Sequence, residues 1–101
     1  MGYNSSMIEI VNNNINRGGT RIGRIDGNHI RDRADNTIGY FSGNDIFKAG
    51  ESMRIAHIDG DYIQLRSDPD HRGIHIEDNL KEVSGGNISD VCRAAIRLLL
   101  G

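Results

Sequence analysis

The 101-residue chain contains no tryptophan, one cysteine, one proline, three tyrosines and two phenylalanines. Each scarcity removes a class of protein. A lone thiol, Cys92, can form neither an intramolecular disulfide framework nor a multi-cysteine zinc site. Lysine occurs only at Lys48 and Lys81, the arginines are scattered among acids, and the formal charge is −2. No basic cluster of the kind that displaces counterions from a phosphate backbone is present, so nucleic acid is not an expected partner. No run approaches the roughly 20 apolar residues that cross a bilayer, so no membrane partner is expected either. Met1 to Asn14 lacks the basic and apolar regions of a secretory signal, which makes the expected location cytoplasmic. An apolar fraction of 37% in so short a chain yields a thin core and favours self-association.

What the chain does contain is a repeat. IGRIDGNHI (Ile22 to Ile30), IGYFSGNDI (Ile38 to Ile46) and IAHIDGDYI (Ile55 to Ile63) align, and MIEIVNNNI (Met7 to Ile15) is a degenerate fourth copy. A unit of about 16 residues is two short strands long. In each copy four residues separate two apolar ones: Ile10 and Ile15, Ile25 and Ile30, Phe41 and Ile46, Ile58 and Ile63. The middle two are Asn12-Asn13, Gly27-Asn28, Gly43-Asn44 and Gly60-Asp61, the residue types that accept positive φ in two-residue turns. Each unit therefore reads as a β-hairpin with its apolar pair directly opposed across the strands. Gly23, Gly39 and Ala56 share that apolar face, with Ile8 in the degenerate copy. Small residues at an equivalent inward position predict strands that converge on an axis.

The fold class expected is mainly β. Four tandem hairpins form a closed or radially arranged antiparallel meander, followed by one C-terminal helix. Residues 1–101 make a single domain, with hairpins over 7–66, a loop over 67–87 and a helix over 88–100. An added strand is expected near 73–77, and Ser84 to Asn87 reads as a connector. Ser89 is the expected N-cap, Asp90 favours the positive end of the dipole, and Gly101 ends the helix. Asp90, Arg93 and Arg97 form a narrow polar stripe. The remaining circumference is apolar, so this helix is expected to touch two surfaces, the sheet and a second subunit. Ile96, Leu98, Leu99 and Leu100 are the expected dimer contacts.

The tandem Ile-Gly-x-[Ile/Phe]-x-Gly units over Met7 to Arg66 resemble the bacterial four-fold beta-flower domains. That resemblance implies a compact protein of four hairpins around an axis, and it supplies no catalytic residue to carry over.

No catalytic constellation stands out. His71 and His75, four apart and flanked by acids, are the candidate metal ligands, but i and i+4 on a strand lie about 13 Å apart. Asp26-Gly27-Asn28 and Asp59-Gly60-Asp61 lack the alternating ligands of a calcium loop and read as turns. Cys92 has helical spacing to Ile96 and Leu99, which makes it a packed thiol. Beside the turns, Arg24, Tyr40, His57, His29 and Tyr62 are varied and amphipathic, suited to stacking on or hydrogen bonding a sugar or peptide. The function expected is a non-enzymatic interaction or scaffold module that needs no cofactor. The alternatives are a small-ligand domain using the Arg24, Tyr40 and His57 positions, or a metal-dependent enzyme using His71 and His75.

Overall fold

The computed structural model describes residues 7–68 and 73–101. Eight strands form four hairpins: β1 (Ile8–Val11) with β2 (Asn14–Arg17), β3 (Thr20–Asp26) with β4 (His29–Asp32), β5 (Thr37–Ser42) with β6 (Asp45–Lys48), and β7 (Ala56–Asp59) with β8 (Tyr62–Leu65). There follow β9 (Ile74–His75), α1 (Ile76–Glu82), β10 (Val83–Gly85) and α2 (Asp90–Leu100). The four expected pairs are all in register, from Ile10 opposite Ile15 to Ile58 opposite Ile63. Asn12 and Asn13 both have positive φ, 51° and 68°, as a type I′ turn requires. In the other three turns only the first central residue does, Gly27 at 62°, Gly43 at 60° and Gly60 at 61°, the pattern of type II′.

The first two junctions between hairpins, β2–β3 and β4–β5, are irregular ladders. Ile15 pairs with Gly23 and Asn16 with Arg21, so Ile22 is the extra residue; Ile38 is skipped in the same way. An extra residue on one strand sharpens the local twist, and repeating it at successive junctions curls the sheet. The backbone N–H groups of Ile25, Phe41 and Ile58 donate to the carbonyls of Asn13, Asn28 and Asn44 at 2.8, 3.0 and 2.8 Å. Ile76 does the same to Asp61 at 2.9 Å, and Ile74 pairs with Ile63. Residues 73–76 thus stand where a fifth repeat would begin.

Two expectations are corrected here. The strand expected over 73–77 ends at His75, which caps α1 by accepting from Glu77 N through Nδ1 at 3.1 Å. Glu77 and Asp78 then lie at the positive end of the short helix, where carboxylates stabilise it. The connector expected over Ser84 to Asn87 begins instead as β10, in a parallel ladder with β1. The sheet order is β10-β1-β2-β3-β4-β5-β6-β7-β8-β9. Among the described residues no ladder joins β9 to β10, so the sheet is open. Its two edges are nevertheless connected by α1 alone, a helix of seven residues and about 10 Å. α1 contacts both of these edge strands, β9 and β10, of the open sheet.

α2 lies along the inner face against β4, β5, β6 and β7, with α1 and β10 on its other side. The Ser89 hydroxyl accepts from Cys92 N at 3.1 Å, and Gly101 N donates to Arg97 O at 2.9 Å, so both helix ends are capped. Ile15, Ile30, Ile46, Ile63, Ala94, Ala95 and Ile96 are fully buried between helix and sheet. The small inward residues make room for this helix. A Cβ on Gly39 would stand 2.5 Å from Leu99 Cδ1 and 2.6 Å from the Phe47 carbonyl. One on Gly23 would overlap the Arg31 carbonyl and stand 3.0 Å from Leu100 Cδ1. Arg93, expected on a polar stripe, is buried and donates through Nη1 to the carbonyls of Val83 and Gly85 at 2.9 and 2.8 Å, tying β10 to α2.

Candidate functional site

The inward face of the hairpins continues, two residues beyond each core isoleucine, to the end of the sheet where hairpins join. Arg17 faces Ile8 there, Asp32 faces Gly23, Lys48 faces Gly39 and Leu65 faces Ala56. Of the three charged residues there, Arg17 and Asp32 are half-buried and Lys48 is exposed. Asp32 has a partner, since its Oδ1 accepts from Asn36 N at 2.9 Å. So does Arg17, which donates through Nη2 to Leu100 O at 3.2 Å. Lys48 makes no ion pair among the described residues.

Beside Lys48 opens a groove of about 740 Å³. Ile38, Ile55, Leu98 and Leu99 form its apolar lining, Lys48 and Arg66 bring the charge, and Ser67 stands at its edge. Local structure explains each part. Ile38 is the skipped residue of the β4–β5 junction, and Ile55 precedes β7 with its N–H on Ile46 O at 2.7 Å. Gly39 has no side chain to cover Leu99. Leu98 and Leu99 belong to the last turn of α2, where the helix outruns its cover and burial drops from complete at Ile96 to partial. Arg66 follows β8, held by its own N–H on Ile55 O at 2.9 Å, and like Lys48 it has no ion pair among the described residues. Two cations without an ion pair among the described residues thus stand at the mouth of this apolar recess, with the negative end of α2 beside them.

The outward positions named from sequence occupy the opposite face. Arg24, Tyr40 and His57 hold equivalent places on β3, β5 and β7, facing Asn14, His29 and Asp45. They lie on alternate strands, about 10 Å apart, and do not surround a common point. They also engage their own neighbours. Arg24 Nε meets Asp35 Oδ1 at 2.7 Å, and that guanidinium holds the Asp35 carboxyl below the usual carboxylate range. Tyr40 is stacked between His29 and Phe47, with ring centroids 5.9 and 4.9 Å away. Tyr62 meets the His75 ring edge-on at 4.9 Å. His71 lies outside the described residues. His75 is committed to its cap, and no group of three or more His, Cys, Asp or Glu able to hold a metal occurs among the described residues. Cys92 is buried, and burial pushes its thiol up to about 11, the opposite of an activated nucleophile.

Of the residues expected at a dimer contact, Ile96 has no exposed surface in the single chain, whereas Leu98, Leu99 and Leu100 are half-buried. Sequence reasoning missed Lys48 and Arg66 altogether. A usable signal existed for Lys48: it lies two residues past Ile46, in phase with the buried positions. No helix among the described residues is long and apolar enough to cross a membrane. The chain matches no family model, no curated protein and no solved structure.

Proposed function

We propose that the protein is a non-enzymatic binding module whose site is the groove at the foot of α2. One observation carries this reading: two cations with no ion pair among the described residues flank an apolar recess of about 740 Å³. That volume falls within the range of small-molecule sites, and an apolar lining with few polar groups is their usual composition. The four hairpins, set around α2 as spokes about a hub in the manner of the four-fold beta-flower domains, hold the groove rigidly. Four identical pair registers support that arrangement. A fragment screen followed by ¹H–¹⁵N correlation spectra tests the reading. Hits that shift Ile38, Ile55, Leu98 and Leu99 together are the expected result.

The outer face gives the competing reading, since Tyr40 and Phe47 offer a stacked aromatic pair at 4.9 Å. Shifts centred on Arg24, Tyr40 and His57, with the groove silent, move the site there.

A further inference from the structure

Resting on that reading, we infer that the groove takes a single-chain amphipathic monoanion, an aliphatic carboxylate with its headgroup between Lys48 and Arg66 and its tail on Ile38, Ile55, Leu98 and Leu99. The apolar lining is wholly aliphatic. The sheet's stacked aromatic rings lie on the other face, so the lining suits a flexible alkyl chain rather than a planar ring that needs a stacking partner. The sign of the headgroup follows from Lys48 and Arg66, which have no ion pair among the described residues although the whole chain is acidic. Its magnitude follows from α2, whose C-terminal end contributes roughly half a negative charge beside the groove. Two cations offset by that end favour one negative charge over two. No helix N-terminus lines the groove, and phosphate sites are commonly built on one.

The experiment uses the full chain, ¹⁵N-labelled, titrated with decanoate, decanol and decyl phosphate, each below its aggregation concentration. Decanoate is expected to shift the Ile38, Ile55, Leu98 and Leu99 amides saturably, with decanol about tenfold weaker. The double variant Lys48→Ala, Arg66→Ala is expected to bring decanoate down to the affinity of decanol. Both side chains are exposed, so the variant keeps the parent Tm to within a few degrees. Lys48→Arg with Arg66→Lys preserves the charge and is expected to retain binding. Equal binding of decanol and decanoate, insensitive to the double variant, overturns the monoanion while the groove stands as a site. Tighter binding of decyl phosphate overturns the choice of headgroup. Silence of the groove toward all three ligands, with no fragment hit there either, overturns the site itself.

Discussion

Gly39 does two things from one position. It lets Leu99 approach the sheet, and it leaves uncovered the patch from which the groove is cut. A methyl group there meets Leu99 and the Phe47 carbonyl together, and only the leucine can move aside. Gly39→Ala is therefore expected to destabilise the fold by about 1–3 kcal/mol, the usual cost of overpacking, measured as a lower urea midpoint. Adding Leu99→Ala restores no full stability, because the carbonyl contact remains. Cys92 gives a second prediction at this scale. Its thiol is raised to about 11, so it stays protonated at neutral pH and is shielded by α2's packing. A chromogenic disulfide reagent at pH 7.5 should react slowly with native protein and at once after unfolding; fast native reaction would show an accessible thiol. The sign of the linkage follows. A raised folded pKa contributes stability that is whole below about 9 and lost as the pH climbs toward 11.

Among the elements, the hairpins were legible because their information is local. A turn needs residues such as Asn12-Asn13 or Gly27-Asn28, and an opposed pair needs apolar residues at fixed distance. Helix α2 was legible for the same reason, through Ser89 and Gly101. What escaped the sequence was set by tertiary contact. GIHIE alternates like a strand, yet only Ile74 and His75 find an edge to pair with, and the His75 cap then turns the chain into α1. Arg93 reads as surface from its spacing to Asp90 and Arg97. It is buried because the carbonyls of Val83 and Gly85 need donors that the open edge of β10 does not otherwise supply. Arg93→Met should accordingly cost about 2–4 kcal/mol, since it leaves two carbonyls wanting donors. Faster amide exchange across β1 and β10 than across β3 and β4 is the expected signature. Uniform acceleration over all strands would mean that Arg93 does not act through β10.

For the whole molecule, α2 gives the curled sheet both a core and a polarity. Its N-terminus lies by the hairpin turns, where Gly86 and Asn87 adjoin Asn12 and Asn13, and its C-terminus lies where hairpins join, held by Arg17. Asp26, Asp45, Asp59 and Asp61 flank the turns, while Arg17, Arg33, Lys48 and Arg66 flank the junctions. Asp32, Asp35, Glu51 and Asp68 lie at the junctions as well, so the turn end, by the positive end of α2, is acidic and the junction end is mixed in charge. The small inward glycines were visible in the repeat, but their reason was not. An inward gap reads alike whether strands or a helix from elsewhere in the chain fills it, and only the fold supplies Leu99 and Leu100. The groove depends on that helix packing against β4 to β7 of the sheet. The direct test is a ¹³C-edited nuclear Overhauser spectrum of the methyl-labelled chain. Cross-peaks from the Leu99 methyls to the Gly39 α-protons, and from the Leu100 methyls to those of Gly23, are expected; their absence, with α2 methyls seeing only one another, would contradict the packing of α2 on the sheet.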